Sequence, residues 1–191
     1  MSWYCDIAPS HPIHGPYHDE EYGFPTDDDS VLFERLSLEI FQAGLSWELV
    51  LKKRPMIFEA FTGFNIDTVA TYDGADVDRL LGNPGIIRNR LKVVSIIENS
   101  RRLQRLRSEF GSFHHWLQSQ NLQSLENWVK LFRAKFKFVG PEIVREFLVS
   151  TGYLIGAHRQ DCPVYDRIMK QYPPWQGVHI TERDENVARQ V

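Results

Sequence analysis

His158 and Cys162 stand four positions apart in His158-Arg159-Gln160-Asp161-Cys162, and on a helix that spacing puts both side chains on one face, about 40° apart in projection. At the other end of the chain, Cys5 is followed by His18. Two thiolates and two imidazoles complete a tetrahedral Zn²⁺ set. With every position filled by protein no water is left to activate, so such a site builds structure rather than hydrolyses. No glutamate sits between paired histidines as a metal-dependent protease would need. On spacing alone a second reading stands beside this one: cysteines as small core residues and histidines at the surface. His11, His14, His114, His115 and His179 are alternative ligands, read as solvent-exposed. If the set of four closes, it ties the N-terminal arm, which carries Tyr17, to the last helix across more than a hundred residues.

Two short turns could hold an anion, Asn83-Pro84-Gly85-Ile86-Ile87 and Phe138-Val139-Gly140-Pro141-Glu142-Ile143. Each places a glycine just before a helix start, where unpaired backbone N–H groups can bind a phosphate oxygen. Most such starts are plain turns. Here Arg88 and Arg90 flank the first, and Lys135 and Lys137 the second. The net charge of −3 argues against a strongly basic nucleic-acid carrier, yet the charge is uneven. Residues 19–29 hold six acids and no base, whereas 88–107 hold seven bases against Glu98 alone, and 130–145 five bases against Glu142. Solvated helix faces explain such runs, and so does one positive face offered to a polyanion.

The elements that must carry these residues read as helices. Asp28, Asp29 or Ser30 can cap a helix with Leu32, Phe33, Leu36, Ile40 and Phe41 at spacings of three and four, ended by Gly44. Ser46 caps the next, with Pro55 bending or restarting it. Short helices follow from Asp67 or Thr68 and over residues 76–82. The long one expected from Ile86 to about Arg107 turns Leu91, Val94, Ile97 and Leu103 inward. Residues 112–118, 125–135 and 142–150 complete the set, with Pro141 in a first turn and Gly152 as a stop. No period-two stretch is long enough for a sheet, so the fold class is all-α. With 191 residues, 42% hydrophobic and 25% charged, the chain is expected to be one globular unit. It has no ~20-residue apolar span and no signal-like start, which points away from a membrane and to the cytoplasm.

Taken together, these segments resemble the 3-methyladenine DNA glycosylase I (Tag) family of helix-hairpin-helix base-excision enzymes. Cys5, Tyr17-His18-Asp19, Glu21-Tyr22-Gly23 and Pro25 look like its N-terminal half-site for zinc, and Leu38-Glu39-x-x-Gln42-Ala43-Gly44-Leu45-Ser46-Trp47 is its most distinctive stretch. Leu51-Lys52-Lys53-Arg54, Gly85-Ile86-Ile87-Arg88-x-Arg90-x-Lys92, Phe136-Lys137-Phe138-Val139-Gly140 and His158-x-x-Asp161-Cys162-Pro163 follow in family order.

The resemblance implies a helix-hairpin-helix glycosylase domain over residues 1–165, with a tail of unknown role over 166–191. One structural Zn²⁺ per chain would be held by Cys5, His18, His158 and Cys162. Glu39 would accept hydrogen bonds from the damaged base and serve as the catalytic residue, between aromatic walls formed by Tyr17 and Trp47. A 3-alkylated adenine is cationic, so a carboxylate and π faces reward it where neutral adenine gains neither. Alkylation also makes the base a good leaving group, and the absence of a lysine in the helix after the hairpin fits hydrolysis without a lyase step. Gln42 and Leu45 would fill the gap left by the flipped nucleotide, and Val139, Gly140, Lys135 and Lys137 would hold the phosphate backbone. The implied partners are duplex DNA containing alkylated adenine and free 3-methyladenine as product, with the protein a monomer.

The sequence departs from the family at Ile7, where an aromatic is usual, at Tyr22, where tryptophan is usual, and at Gly156-Ala157, where an aspartate is common and Asp161 could take over. Residues 118–134 are shorter than usual and match poorly. These departures motivate a second function, a zinc-stabilised module that binds damaged DNA without releasing a base. A metallohydrolase is disfavoured by the filled metal shell.

Overall fold

The computed structural model describes residues 4–120 and 124–177, and among them there are helices and turns but no strand. In chain order the helices are α1 (Tyr4–Ile7), α2 (His14–Glu20), α3 (Asp29–Gln42), α4 (Trp47–Ala60), α5 (Ile66–Ala70), α6 (Gly74–Gly82), α7 (Arg90–Phe110), α8 (Phe113–Ser119), α9 (Leu125–Lys135), α10 (Pro141–Ser150) and α11 (Pro163–Met169). None is long and apolar enough to cross a membrane.

The centre of the molecule is α3. Asp28 starts it by accepting from the Ser30 and Val31 amides at 2.7 and 3.3 Å, as expected of an N-cap. Every residue from Leu32 to Phe41 is buried, because α4, α7, α8 and α10 all pack against it. A helix enclosed all round must pair its polar side chains internally. Glu34 takes a bidentate contact from Arg54 at 2.8 Å on both arms, Arg35 reaches Glu21 at 2.8 Å, and the Ser37 hydroxyl donates to the Phe33 carbonyl at 2.8 Å. Glu39 is the exception.

The expected second helix is present as α4, capped by Ser46 through the Leu49 amide at 3.3 Å, and it runs unbroken through Pro55. The long helix differs from expectation in start and phase. Asn89 caps it by accepting from the Lys92 amide at 3.1 Å, so it begins at Arg90 and leaves Ile86 and Ile87 buried in the preceding turn. Leu91 and Val94 face solvent, at 63% and 44% exposure. The inward face carries Lys92, Val93, Ile96, Asn99, Leu103 and Leu106. An apolar spacing of three and four admits neighbouring phases, and two polar partners chose this one. The Lys92 ammonium donates to the Phe41 and Ala43 carbonyls at 2.8 and 2.6 Å, closing the open end of α3. Asn99 clasps the Lys137 backbone, donating to its carbonyl at 3.0 Å and accepting from its amide at 2.7 Å. Seven residues apart on one helix face, Lys92 and Asn99 hold the α3–α4 and α9–α10 turns about 10 Å apart along α7.

The expectation that His158 and Cys162 share a helix is not met. Residues 151–162 form turns, and α11 starts only at Pro163, whose missing N–H and fixed φ suit a first helical position. The tail boundary expected after residue 165 falls inside α11. Beyond it, the Trp175 amide donates to the Gly152 carbonyl at 3.2 Å, which docks the chain as far as residue 177. His179 lies outside the described residues.

Candidate active site and metal cluster

Loop geometry brings together what the helix was expected to. The ligand atoms of Cys5, His18, His158 and Cys162 all lie within 4.8 Å of one another. His158 Nδ1 is 3.6 Å from Cys5 Sγ and 3.5 Å from Cys162 Sγ, while His18 Nε2 is 3.9 Å from Cys162 Sγ. A tetrahedral zinc with Zn–S of about 2.3 Å and Zn–N of about 2.0–2.1 Å sets its S···N edges near 3.6 Å. The donors therefore fit that ion. The ring nitrogens facing away are both engaged: His18 Nδ1 donates to Asp19 at 2.7 Å, and His158 Nε2 donates to the Tyr22 carbonyl at 2.8 Å. Each bond fixes a tautomer that turns a bare nitrogen toward the sulfurs, the outer-shell arrangement of metal-bound histidine. Burial lowers the His158 pKa to about 4 and raises that of the Cys5 thiol.

Polar tethers surround the cluster. Arg159 joins Asp6 at 2.6 Å, and Arg167 of α11 joins Glu20 at 2.8 Å. Gly23, at φ +85°, approaches so closely that a Cβ there would lie 2.6 Å from the Cβ of Ala157. That contact, with the left-handed backbone, demands glycine at position 23; the departure at Gly156-Ala157 has no structural explanation. Asp161 is exposed and paired with Arg159 at 3.0 Å.

Beside this tethered arm, the Tyr17 and Trp47 rings are in contact. Their centroids are 5.1 Å apart, edge to face. Tyr17 is buried and Trp47 half-buried. A flat base held between two rings needs about 7 Å, twice an aromatic contact distance of ~3.5 Å, so at 5.1 Å the two rings touch each other and leave no such gap. Tyr22 lies 5.7 Å from Tyr17, so an aromatic ring packs there where the sequence departs from the family's tryptophan. Ile7 is 55% exposed.

Glu39 is 6% exposed and has no hydrogen-bond partner among the described residues, unlike every other polar side chain buried on α3. Burial above all, then the charge of Glu146, raises its pKa from 4.5 to about 8, against the opposing pull of Arg35. The sign of the linkage follows: the folded state holds this proton more tightly than the unfolded chain, so stability falls as pH rises from about 4.5 to about 8. Glu39→Gln has no charge to bury. Its unfolding free energy in urea is expected to overtake that of the unmutated protein progressively between pH 5 and pH 9; a gap that does not grow with pH would contradict the assignment.

The remaining expected contacts lie on two turns. Leu45 is 37% exposed at the tip between α3 and α4, where Gly44 adopts φ +79° and Gln42 Nε2 donates to the Leu45 carbonyl at 3.1 Å. In the α9–α10 turn, Gly140 occupies the N-cap of α10 with no side chain capping it and open space around its α-carbon. Lys137 is exposed and Lys135 partly so, while Val139 points into the core and offers only its backbone.

Three contributors escaped the sequence reading. Lys92 was grouped with the cationic outer face, but it is buried. Arg35 sits 5.1 Å over the Tyr17 ring and donates to its hydroxyl at 3.4 Å; a cation in the middle of a helix rich in apolar residues was the available signal. Glu146 accepts from the Tyr22 hydroxyl at 3.2 Å, and nothing in its local sequence marks it.

The methyladenine glycosylase family model matches residues 7–130. A DNA-3-methyladenine glycosylase of Haemophilus influenzae is 31% identical over 182 residues, which span 85% of this chain and 98% of that protein. DNA-3-methyladenine glycosylase 1 of Escherichia coli is 33% identical over 180 residues, spanning 84% and 96%. The 3-methyladenine DNA glycosylase I of Staphylococcus aureus, whose structure was solved for its recognition of 3-methyladenine, superimposes with a TM-score of 0.75 at 31% identity, covering 84% of this chain and 95% of that one. At that likeness over nearly its whole length, the chain belongs to the methyladenine glycosylase family.

Proposed function

We propose that this protein excises 3-methyladenine from alkylated duplex DNA by base flipping, as a hydrolase without a lyase step. The observation that carries the reading is the unpartnered, buried Glu39 carboxyl, within electrostatic reach of Tyr17, which packs on Trp47. Without a base beside it, burial holds the Glu39 pKa at about 8 and so keeps it protonated at neutral pH. When a cationic base enters, the carboxylate gains a counter-charge and N–H donors, and its proton can leave. A neutral adenine offers no such exchange, which is the basis of selection. The C1′–N9 bond then breaks with its electron pair passing to the base, which leaves neutral; water adds to the sugar cation at C1′ and loses its proton to solvent. The protein's share is to orient the base, hold the field and admit that water.

Gln42 and Leu45 are proposed to fill the vacated stack, and the first turn of α10 with Lys135 and Lys137 to hold backbone phosphate, so binding should be insensitive to sequence and weaken with salt. Cys5, His18, His158 and Cys162 would hold one structural Zn²⁺, which supplies a crosslink rather than chemistry. The working domain extends through α11, acts as a monomer, and meets its DNA in the cytoplasm.

Methylated duplex treated with the protein should gain alkali-labile sites and show no strand breaks before alkali. Breaks without alkali would refute the monofunctional reading, and duplex binding with no alkali-labile sites would favour the non-catalytic module.

A further inference from the structure

α7 carries none of the residues proposed to meet the base, yet its polar side chains end on the backbone of both turns proposed to meet the DNA. The Lys92 ammonium donates to the carbonyls of Phe41 and Ala43 at 2.8 and 2.6 Å. These two residues flank Gln42, whose side chain donates in turn to the Leu45 carbonyl at 3.1 Å. Seven positions further along α7, Asn99 donates to the Lys137 carbonyl at 3.0 Å and accepts from its amide at 2.7 Å. Arg102 follows with a bond to the Lys135 carbonyl at 3.1 Å. One helix therefore grips the backbone on both sides of Gln42 and the backbone of both lysines proposed to hold phosphate.

Lys92 and Asn99 are both buried. Apolar side chains would fill the same space without desolvating a cation and an amide. What apolar packing does not supply is direction, whereas bonds to main-chain carbonyls and amides fix the path of a turn whatever its side chains do. We infer that Lys92 and Asn99 are positioning residues for base excision: along α7 they hold the stack-filling turn and the phosphate-holding turn at one fixed separation, about 10 Å, so that Leu45 enters the duplex in register with the phosphates gripped at the start of α10. This rests on the proposed DNA contacts and goes beyond them. Lys92 acts through Gln42 and Leu45, and so on the flipping step that follows binding. Asn99 acts through Lys137, and so on the grip that holds the duplex.

The test uses the full chain and methylated duplex DNA, and measures duplex affinity separately from single-turnover base release at saturating protein. Lys92→Met keeps the stem and removes the charge and the donors. Its saturated release rate is expected to fall about ten- to a hundredfold, the scale of an ångström-sized misplacement, with duplex affinity held within about threefold. Asn99→Leu is expected to do the reverse: affinity falls about tenfold and the slope of log affinity against log salt becomes shallower by about 0.9, one phosphate contact, while the saturated rate stays within about threefold. Gly44→Ala and Arg102→Met disturb the same two turns from less enclosed positions, Gly44 having open space around its α-carbon and Arg102 being partly exposed. They should repeat the split in smaller measure even where the buried substitutions fail to fold. Rate and affinity falling together in step with melting temperature would overturn the inference, reducing both residues to packing, and so would no change in either quantity. An unmutated protein that binds the duplex and releases no base would instead end the excision reading, and the affinity of Asn99→Leu would still decide the phosphate side.

Discussion

Replacing Glu39 with glutamine is expected to lower single-turnover release of 3-methyladenine from methylated duplex by about 10²- to 10³-fold. The magnitude is that of removing one preorganised, water-shielded electrostatic contact from a transition state. Glutamine has the same shape, and the protein should fold and retain its salt-dependent duplex affinity. What it loses is the counter-charge for a cationic base and half of the acceptor capacity facing the base's N–H groups. α3 offers no substitute, because the other acid buried on it, Glu34, is occupied by Arg54. A loss of less than about threefold, with duplex binding intact, would show that another group bears the base's charge.

Removing the metal is expected to have the second large effect. Cys5→Ser combined with Cys162→Ser, or exhaustive chelation, should lower the melting temperature by about 6–12 °C, taking at least ~3 kcal/mol for the lost crosslink at about 2–4 °C per kcal/mol for a chain of this size. The arm would keep its Arg159–Asp6 and Arg167–Glu20 contacts. These are partly exposed ion pairs and contribute little. Tyr17 sits one residue before His18 and should lose its position with the cluster, so base release should fall together with stability. The protein purified without chelator is expected to contain about one equivalent of zinc. A metal-free preparation with unchanged melting temperature and activity would refute the structural role.

Much of this arrangement was legible in the residues. Capping at Asp28 and Ser46, the stop after Gln42 and the Pro141 start are local events governed by side chains within three positions, and they came out as read. Cys5, His18, His158 and Cys162 did converge, although the route was wrong: the spacing of four was taken as one helix face, whereas a loop ahead of Pro163 delivers the same proximity. The phase of α7 was only half right: Ile97 and Leu103 are buried as expected, but Leu91 and Val94 are exposed, and Lys92, grouped with the outer bases, turns inward together with Asn99. Their burial depends on carbonyls and amides of α3 and the α9–α10 turn, partners distant in sequence. The Tyr22–Glu146 hydrogen bond was invisible for the same reason, since it joins residues 124 positions apart. The unpaired state of Glu39 is also a tertiary fact, visible only when its neighbours on α3 are seen to be satisfied.

The most direct test of the account is chromatographic identification of the bases that the unmutated protein frees from methylated duplex DNA. The prediction is free 3-methyladenine, released in proportion to protein and time, with normal adenine left in place. Release of no base at all by zinc-loaded, folded protein that still binds the duplex would contradict it.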